Sequence, residues 1–232
     1  MVDFTQFEKK AGLTFKDKTL LKQAFVHRSY INENKASGLA HNERLEFLGD
    51  AVLELVATDF LFRRYPGKNE GELTSYRAAL VNTHSLSKAA TELGVNEFLL
   101  LSRGEAKDTG RARSIILADA MEAIIGAVYL DIGYLTAKQF IEKNLFEVMD
   151  IDQIIRDKSW MDAKSHFQEK AQEIVGLTPS YRTVKETGPD HNKHFFVGVF
   201  LGDKQVAIGE GESKQEAEQD AAEKGLEIKA WK

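Results

Sequence analysis

From residue 43 onward, Leu45, Leu48, Val52, Leu55 and Val56 recur at three- and four-residue intervals. This is the period of an amphipathic helix, and these five positions are its predicted buried face. Asn42 stands where an N-cap belongs. The helix is predicted to run to about Tyr65, where Pro66 and Gly67 stop it. Upstream, residues 20–30 (LLKQAFVHRSY) read as a helix and NENKASGLAH as a loop. Downstream, KNEGELTSYRAALVN turns helical through Leu80 and Val81, and THSLSKAATEL is a helix closed by Gly94. Residues 102–113 hold two glycines and four basic side chains and read as a mobile basic loop. Residues 114–131 (SIILADAMEAIIGAVYLD) are almost wholly apolar, and a further helix runs through AKQFIEKNLFEVM. No β-alternation of any length precedes residue 150, so residues 1–150 are predicted to be all-α.

The pattern then changes. Residues 151–160 read as a linker and residues 161–232 as a second, small α+β domain. AKSHFQEKAQEIV is an amphipathic helix ended by Gly176 and Pro179. SYRTVKETG, KHFFVGVFLG and KQVAIGEG read as three strands, with Val197, Val199 and Leu201 alternating in the middle one. ESKQEAEQDAAEKGLEIKA closes the α-β-β-β-α order as a helix. Trp160 and Trp231 read as packing residues near domain ends, and His27 takes no role.

Composition narrows the classes. Hydrophobic residues at 43% and charged residues at 29% describe a soluble globular chain. The absence of cysteine excludes disulfides, thiolate metal sites and cysteine nucleophiles, and fits a reducing compartment. The first residues, MVDFTQFEKKAGLTF, carry acids and no long apolar core, so no secretory signal is expected. No segment reaches transmembrane length. The expected location is the cytoplasm. The net charge of −5 does not favour nucleic acid, and neither part of the chain is basic: residues 1–158 come to −2 and residues 159–232 to −3. Any nucleic-acid binding must use local basic clusters and divalent cations.

The chemistry lies in the acids. Glu43, Glu46 and Asp50 in HNERLEFLGD are spaced three and four apart and form one acidic stripe on a helix. Asp119 and Glu122, three apart, lie in the most apolar run of the chain. An acid there is expensive unless paired or metal-bound. Oxygen-only ligands favour a hard cation such as Mg²⁺. The same spacings also suit solvated helix faces, and they do not by themselves show that the two stripes meet.

The chain resembles the bacterial ribonuclease III family over nearly its whole length. HNERLEFLGDAVLELV contains the family signature NERLEFLGD unchanged, and GEAKDTGRARSIILAD is similar to the stretch before the family's second acidic helix. The resemblance implies a homodimeric endoribonuclease that cuts double-stranded RNA with Mg²⁺, or Mn²⁺ as a substitute. It implies that Glu46, Asp50, Asp119 and Glu122 hold the metal, with Asp50 and Glu122 the most essential. Glu43 and Glu70 are then supporting acids near the substrate backbone and the dimer partner. Phe47 is expected to be buried, either in the chain's own core or as a knob entering the partner subunit. Ribosomal RNA precursors are the implied substrate, along with some other transcripts. The implied products carry a 5′ phosphate, a 3′ hydroxyl and a two-nucleotide 3′ overhang. No membrane or small-molecule partner is expected.

The second domain resembles a double-stranded RNA-binding domain. By that resemblance Gln168, Glu169 and Gln172 lie in one minor groove, and Pro189 and His191 in GPDHNKHF reach the next. Lys214 heads the helix that faces the phosphates. The chain has Lys214-Gln215 where many relatives have two lysines, and Asp220 where alanine is common. Weak intrinsic RNA affinity follows. Two rivals differ in class. A non-catalytic RNA-binding protein would lose several of the six acids. A small-molecule phosphohydrolase would have no use for GPDHNKHF or SKQEAEQDAA.

Overall fold

The computed structural model describes residues 2–149, 151–156, 163–189 and 193–231. The chain divides into two compact units, Met1–Trp160 and Met161–Lys232. His191 and Trp160 lie outside the described residues.

The first unit is built of α1 (Phe4–Ala11), α2 (Lys18–Ala24), α3 (Arg28–Glu33), α4 (Glu43–Arg64), α5 (Glu70–Leu80), α6 (Thr83–Glu92), α7 (Arg111–Ile132), α8 (Tyr134–Ile141) and α9 (Ile151–Arg156). A π-helical turn, Glu142–Phe146, extends α8. The short α9 falls inside the stretch read as linker. Asp152 on it accepts from Arg64 (2.7 Å) and from the Tyr65 hydroxyl (2.6 Å). α7 is the centre of the unit. Its residues from Ile116 to Val128 are buried except Asp119 and Glu122, which are half-buried. It packs most extensively against α4 and next against α6.

Four local expectations are corrected. Residues 20–30 are not one helix: Phe25, Val26 and His27 break it, because Val26 pairs in parallel with Leu100. Asn42 occupies the N-cap position without capping; its Nδ2 donates to the Ala24 carbonyl instead (3.2 Å). Leu55 is exposed and Leu48 half-buried, whereas Gly49, Leu53 and Ala57 face the core with Leu45, Val52 and Val56. The buried stripe is thus rotated about the helix, because α7 docks on the Gly49 side. The basic loop is shorter and more ordered than expected. Arg111 already opens α7, residues Glu105–Lys107 form a 3₁₀ turn, and Arg113 donates to the carbonyls of Glu105 (2.8 Å) and Asp108 (3.0 Å).

The second unit follows the expected order: α10 (Ala163–Val175), β1 (Pro179–Thr187), β2 (His194–Leu201), β3 (Lys204–Gly211) and α11 (Lys214–Lys229). The antiparallel sheet runs β1-β2-β3. Both helices cover one face of it. Phe167 and Ala171 of α10 meet Val199, Leu201 and Ala207 of the sheet and Ala221 and Ala222 of α11. Trp231 completes this core, its ring 5.2 Å from that of Phe167. Among the described residues no helix is long and apolar enough to cross a membrane.

Candidate active site

Two helices carry the acids, and their spacing is set by two glycines. A Cβ on Gly49 would overlap the Glu122 carbonyl and lie 2.9 Å from the Gly126 nitrogen. A Cβ on Gly126 would overlap the Leu45 carbonyl. With hydrogen in place of both, the backbones of α4 and α7 touch. Glu46 and Asp50 flank Gly49 in their turn of α4, and Glu122 stands on α7 at the contact itself.

The electrostatics show the gathering. Burial, then the charges of Asp50, Glu46 and Asp119, push the Glu122 carboxyl up to about 8. Burial, then Asp119, Glu43 and Asp50, push Glu46 up to about 7. Asp119 is raised by burial and by Glu43. Five of the six predicted acids therefore act on one another. Glu43 sits at the edge, 3.5 Å from Arg28 and 3.7 Å from His41. Among the described residues no three acids already stand in ligating geometry, so the group is assembled rather than closed. Its donors are carboxylate oxygens in a partly dehydrated, mutually repelling set, which fits a hard divalent cation.

Glu70 is not brought into this group. It opens α5, exposed, behind the Asn69–Glu72 capping box. It borders a cavity of about 470 Å³ lined also by Leu61, Phe62, Leu73, Thr74 and Arg77.

Phe47 corrects an expectation. It is 81% exposed in the single chain, so it belongs to no intrachain core. It points away because the Gly49 side of α4 is taken by α7. Leu55 (57%) and Phe62 (70%) are exposed on the same helix. With half-buried Leu48, the positions 48, 55 and 62 repeat every seven residues, an apolar stripe without a cover in the single chain.

In the second unit Gln168, Glu169 and Gln172 are exposed together on α10. Lys214 opens α11 after Ser213, whose hydroxyl caps the Glu216 N–H (3.1 Å). The ammonium lies 3.4 Å from Glu186 and 5.6 Å from the centre of the Phe195 ring. Asp220 is occupied structurally: it accepts the Glu210 N–H (2.7 Å) and pairs with Lys224 (2.7 Å), which together hold its carboxyl below the usual range against the cost of burial.

Sequence reasoning missed two residues that shape the site. Gly49 and Gly126 do carry a signal, because a glycine inside an otherwise strong helix marks close packing.

The model of a ribonuclease-III-like family matches residues 17–149, and that of a double-stranded RNA binding motif matches residues 163–229. Ribonuclease 3 of Enterococcus faecalis is 43% identical over 222 residues, 96% of this chain and 95% of the relative. Ribonuclease 3 of Geobacillus kaustophilus is 45% identical over 224 residues, 97% of this chain and 90% of the relative. Among solved structures, the nuclease domain of ribonuclease III from Campylobacter jejuni is similar at a TM-score of 0.57 and 40% identity, over 62% of this chain and 97% of that domain. That structure is described for flexibility in a region involved in dimer formation.

Proposed function

Because the chain belongs to the ribonuclease III family, an endonuclease unit followed by a double-stranded RNA-binding unit, we propose that it is a homodimeric, Mg²⁺-dependent hydrolase of phosphodiester bonds in RNA duplexes. The observation that carries this reading is the meeting of the Glu46–Asp50 and Asp119–Glu122 pairs where α4 touches α7. These four side chains would hold Mg²⁺, with Mn²⁺ as a substitute. When bound, the metal supplies charge stabilisation at the phosphoryl oxygens and lowers the pKa of an attacking water.

The chain's own residues supply the rest. Glu46 and Glu122 are held partly protonated near neutral pH, so they must release protons to act as ligands. No imidazole or amine base is needed within the group. Glu43, paired with Arg28 at the rim, is a supporting acid near the RNA backbone. In the second unit, the exposed face of Gln168, Glu169 and Gln172 suits the shallow minor groove, and the amino end of α11 with Lys214 suits phosphate. His191 is the further minor-groove contact in this reading.

The dimer reading rests on Phe47 and the Leu48, Leu55 and Phe62 stripe. Phe47 is the knob, and the cavity beside Glu70 is its receptor on the other protomer. This would bring Glu70 close to the partner. Two sites related by two-fold symmetry would each cut one strand. The products carry a 5′ phosphate, a 3′ hydroxyl and a two-nucleotide 3′ overhang. The substrates are ribosomal RNA precursors and some other transcripts, met in the cytoplasm.

The test is cleavage of a long RNA duplex with and without Mg²⁺, beside single-stranded RNA and duplex DNA, with end analysis of the products. Metal-dependent cleavage of the RNA duplex alone, with staggered ends, is expected. Equal cleavage of single strands, or none with Mg²⁺ or Mn²⁺, overturns the reading.

A further inference from the structure

Asn42 stands at the N-cap of α4, yet its side chain caps nothing. A capping oxygen at that position is worth about 0.5–2 kcal/mol. The residue is only 3% exposed, and its N–H donors are committed elsewhere. Its Nδ2 donates to the Ala24 carbonyl (3.2 Å) and its N–H to the Val26 carbonyl (2.9 Å). Beside it, Gln23 Nε2 donates to the His41 carbonyl (3.0 Å). Three hydrogen bonds thus join residues 41 and 42 to residues 23–26, the end of α2 and the break after it.

That segment is itself immobilised. The Leu100 N–H donates to the Phe25 carbonyl (2.8 Å), and the His27 N–H to the Leu100 carbonyl (3.1 Å). The Phe25 ring is fully buried against Phe7 and Phe98, with centroids 4.9 and 5.7 Å away. On its other side, the Asn42 carbonyl accepts from the N–H groups of Leu45 (2.8 Å) and Glu46 (3.0 Å). A continuous run of bonds therefore leads from the aromatic core, through Asn42, into the turn that bears Glu43 and Glu46.

We propose that Asn42 is a positioning residue for RNA hydrolysis, fixing where the first turn of α4 starts and how it is rotated, and so where Glu43 and Glu46 stand relative to Asp119 and Glu122. This rests on the reading of the acid group as the catalytic centre. Asn42 touches no reacting atom. Gly49 on α4 and Gly126 on α7 set how closely the helices approach, Gly126 against the Leu45 carbonyl, whereas the bonds of Asn42 set the direction in which the chain enters the first turn of α4. A displacement of about 1 Å at a catalytic group costs about 100-fold in rate.

The experiment is Asn42→Ser in the full chain. Serine is a good N-cap, so the helix keeps its end stabilised. Its hydroxyl is too short to reach the Ala24 carbonyl. The expected result is an unfolding midpoint near the wild-type value, a KM for long duplex RNA unchanged within about twofold, and kcat reduced about 10- to 100-fold. Amide exchange at residues 43–46 should be faster. Asn42→Asp keeps the size, loses the donor and should lose at least as much kcat; it decides the matter if the serine variant does not fold. Wild-type chain assayed alongside separates the two readings. If wild type shows no metal-dependent cleavage, the catalytic reading itself fails, and this proposal with it. If wild type is active and a folded variant keeps kcat within about twofold, positioning by Asn42 is refuted while the catalytic reading stands. A fall in kcat that only matches the fall in folded fraction refutes it equally.

Discussion

The backbones of Gly49 and Gly126 meet across α4 and α7 with no space for a methyl group on either. The contact lies within one turn of Glu46, Asp50 and Glu122, so packing and chemistry are decided at one place. Gly49→Ala should force the helices apart. Overpacking of this kind costs about 1–3 kcal/mol or more, because the obstacle is backbone and not a flexible side chain. The expected outcome is a lower unfolding midpoint and a larger fall in cleavage than in RNA binding. Thermal denaturation and single-turnover cleavage measure both; a wild-type rate would show that the acids tolerate separation.

Glu122→Gln keeps the shape of the side chain and removes a charge that would hold the cation. Cleavage should be nearly abolished with RNA binding intact, checked by single-turnover and gel-shift assays. Asp50→Asn should behave alike, with part of its loss recovered by more Mg²⁺ or by Mn²⁺. Near-normal cleavage by either variant removes that residue from the metal set.

The pH dependence has a definite sign. Glu46 and Glu122 titrate at about 7 and about 8 in the fold, against an ordinary value of 4.5. Between these limits the folded chain binds more protons than the unfolded one. The associated stability is present below about pH 4.5 and is lost as pH rises through about 7 and 8. Without metal, wild type should therefore lose unfolding temperature from pH 5 to 9, and Glu122→Gln should lose less and be the more stable at pH 9. Each kcal/mol relieved raises the midpoint by about 2–4 °C in a chain of this size. Added Mg²⁺ should stabilise wild type at alkaline pH and the variant much less. Calorimetric scans across that range decide it; parallel curves for the two proteins contradict the raised carboxyls.

Phe47→Ala should weaken dimerisation. Burial of a phenylalanine in a well-packed pocket is worth about 3–5 kcal/mol on truncation. Because Phe47 is exposed in the single chain, the monomer's own fold should survive the change. Sedimentation at micromolar concentration tests this, and an equally tight dimer rejects the knob.

In the second unit Lys214 is held by Glu186 in an exposed pair of the kind worth about 0–1 kcal/mol, weak enough for phosphate to displace. Lys214→Ala should lower duplex affinity and flatten the salt dependence by about one phosphate contact. Gln215→Lys should raise affinity, and so should Glu186→Gln, which frees the ammonium. Titrations at several salt concentrations, using full-length chain inactivated by Glu122→Gln, separate these effects. An unchanged salt slope for Lys214→Ala means that α11 does not face the backbone.

What was legible in the sequence was what depends on local periodicity. The helical and α-β-β-β-α halves follow from spacing, and the acids follow from their placement among apolar residues. What was not legible depends on distant partners. Nothing in LLKQAFVHRSY signals a break, because Val26 leaves the helix to meet Leu100, more than seventy residues away. Asn42 reads as a cap because the competing acceptor, the Ala24 carbonyl, becomes available only once that break exists. Leu55 and Phe47 read as buried because an apolar stripe does not say whether its cover lies in the same chain. The glycines read as weak points of two helices, and become the closest contact between them only when both helices are in place.

The helix α4 serves two surfaces at once. Its Gly49 side seats the acids against α7, and another side carries Leu48, Leu55 and Phe62 outward. Both surfaces belong to one rigid rod of 22 residues. A neighbour that tilted the outer stripe would also move the carboxylates, since a helix cannot bend independently on two sides. If the proposed dimer forms on that stripe, the amount of protein in solution becomes an input to the chemistry, and dilution would act as an inhibitor that needs no binding site.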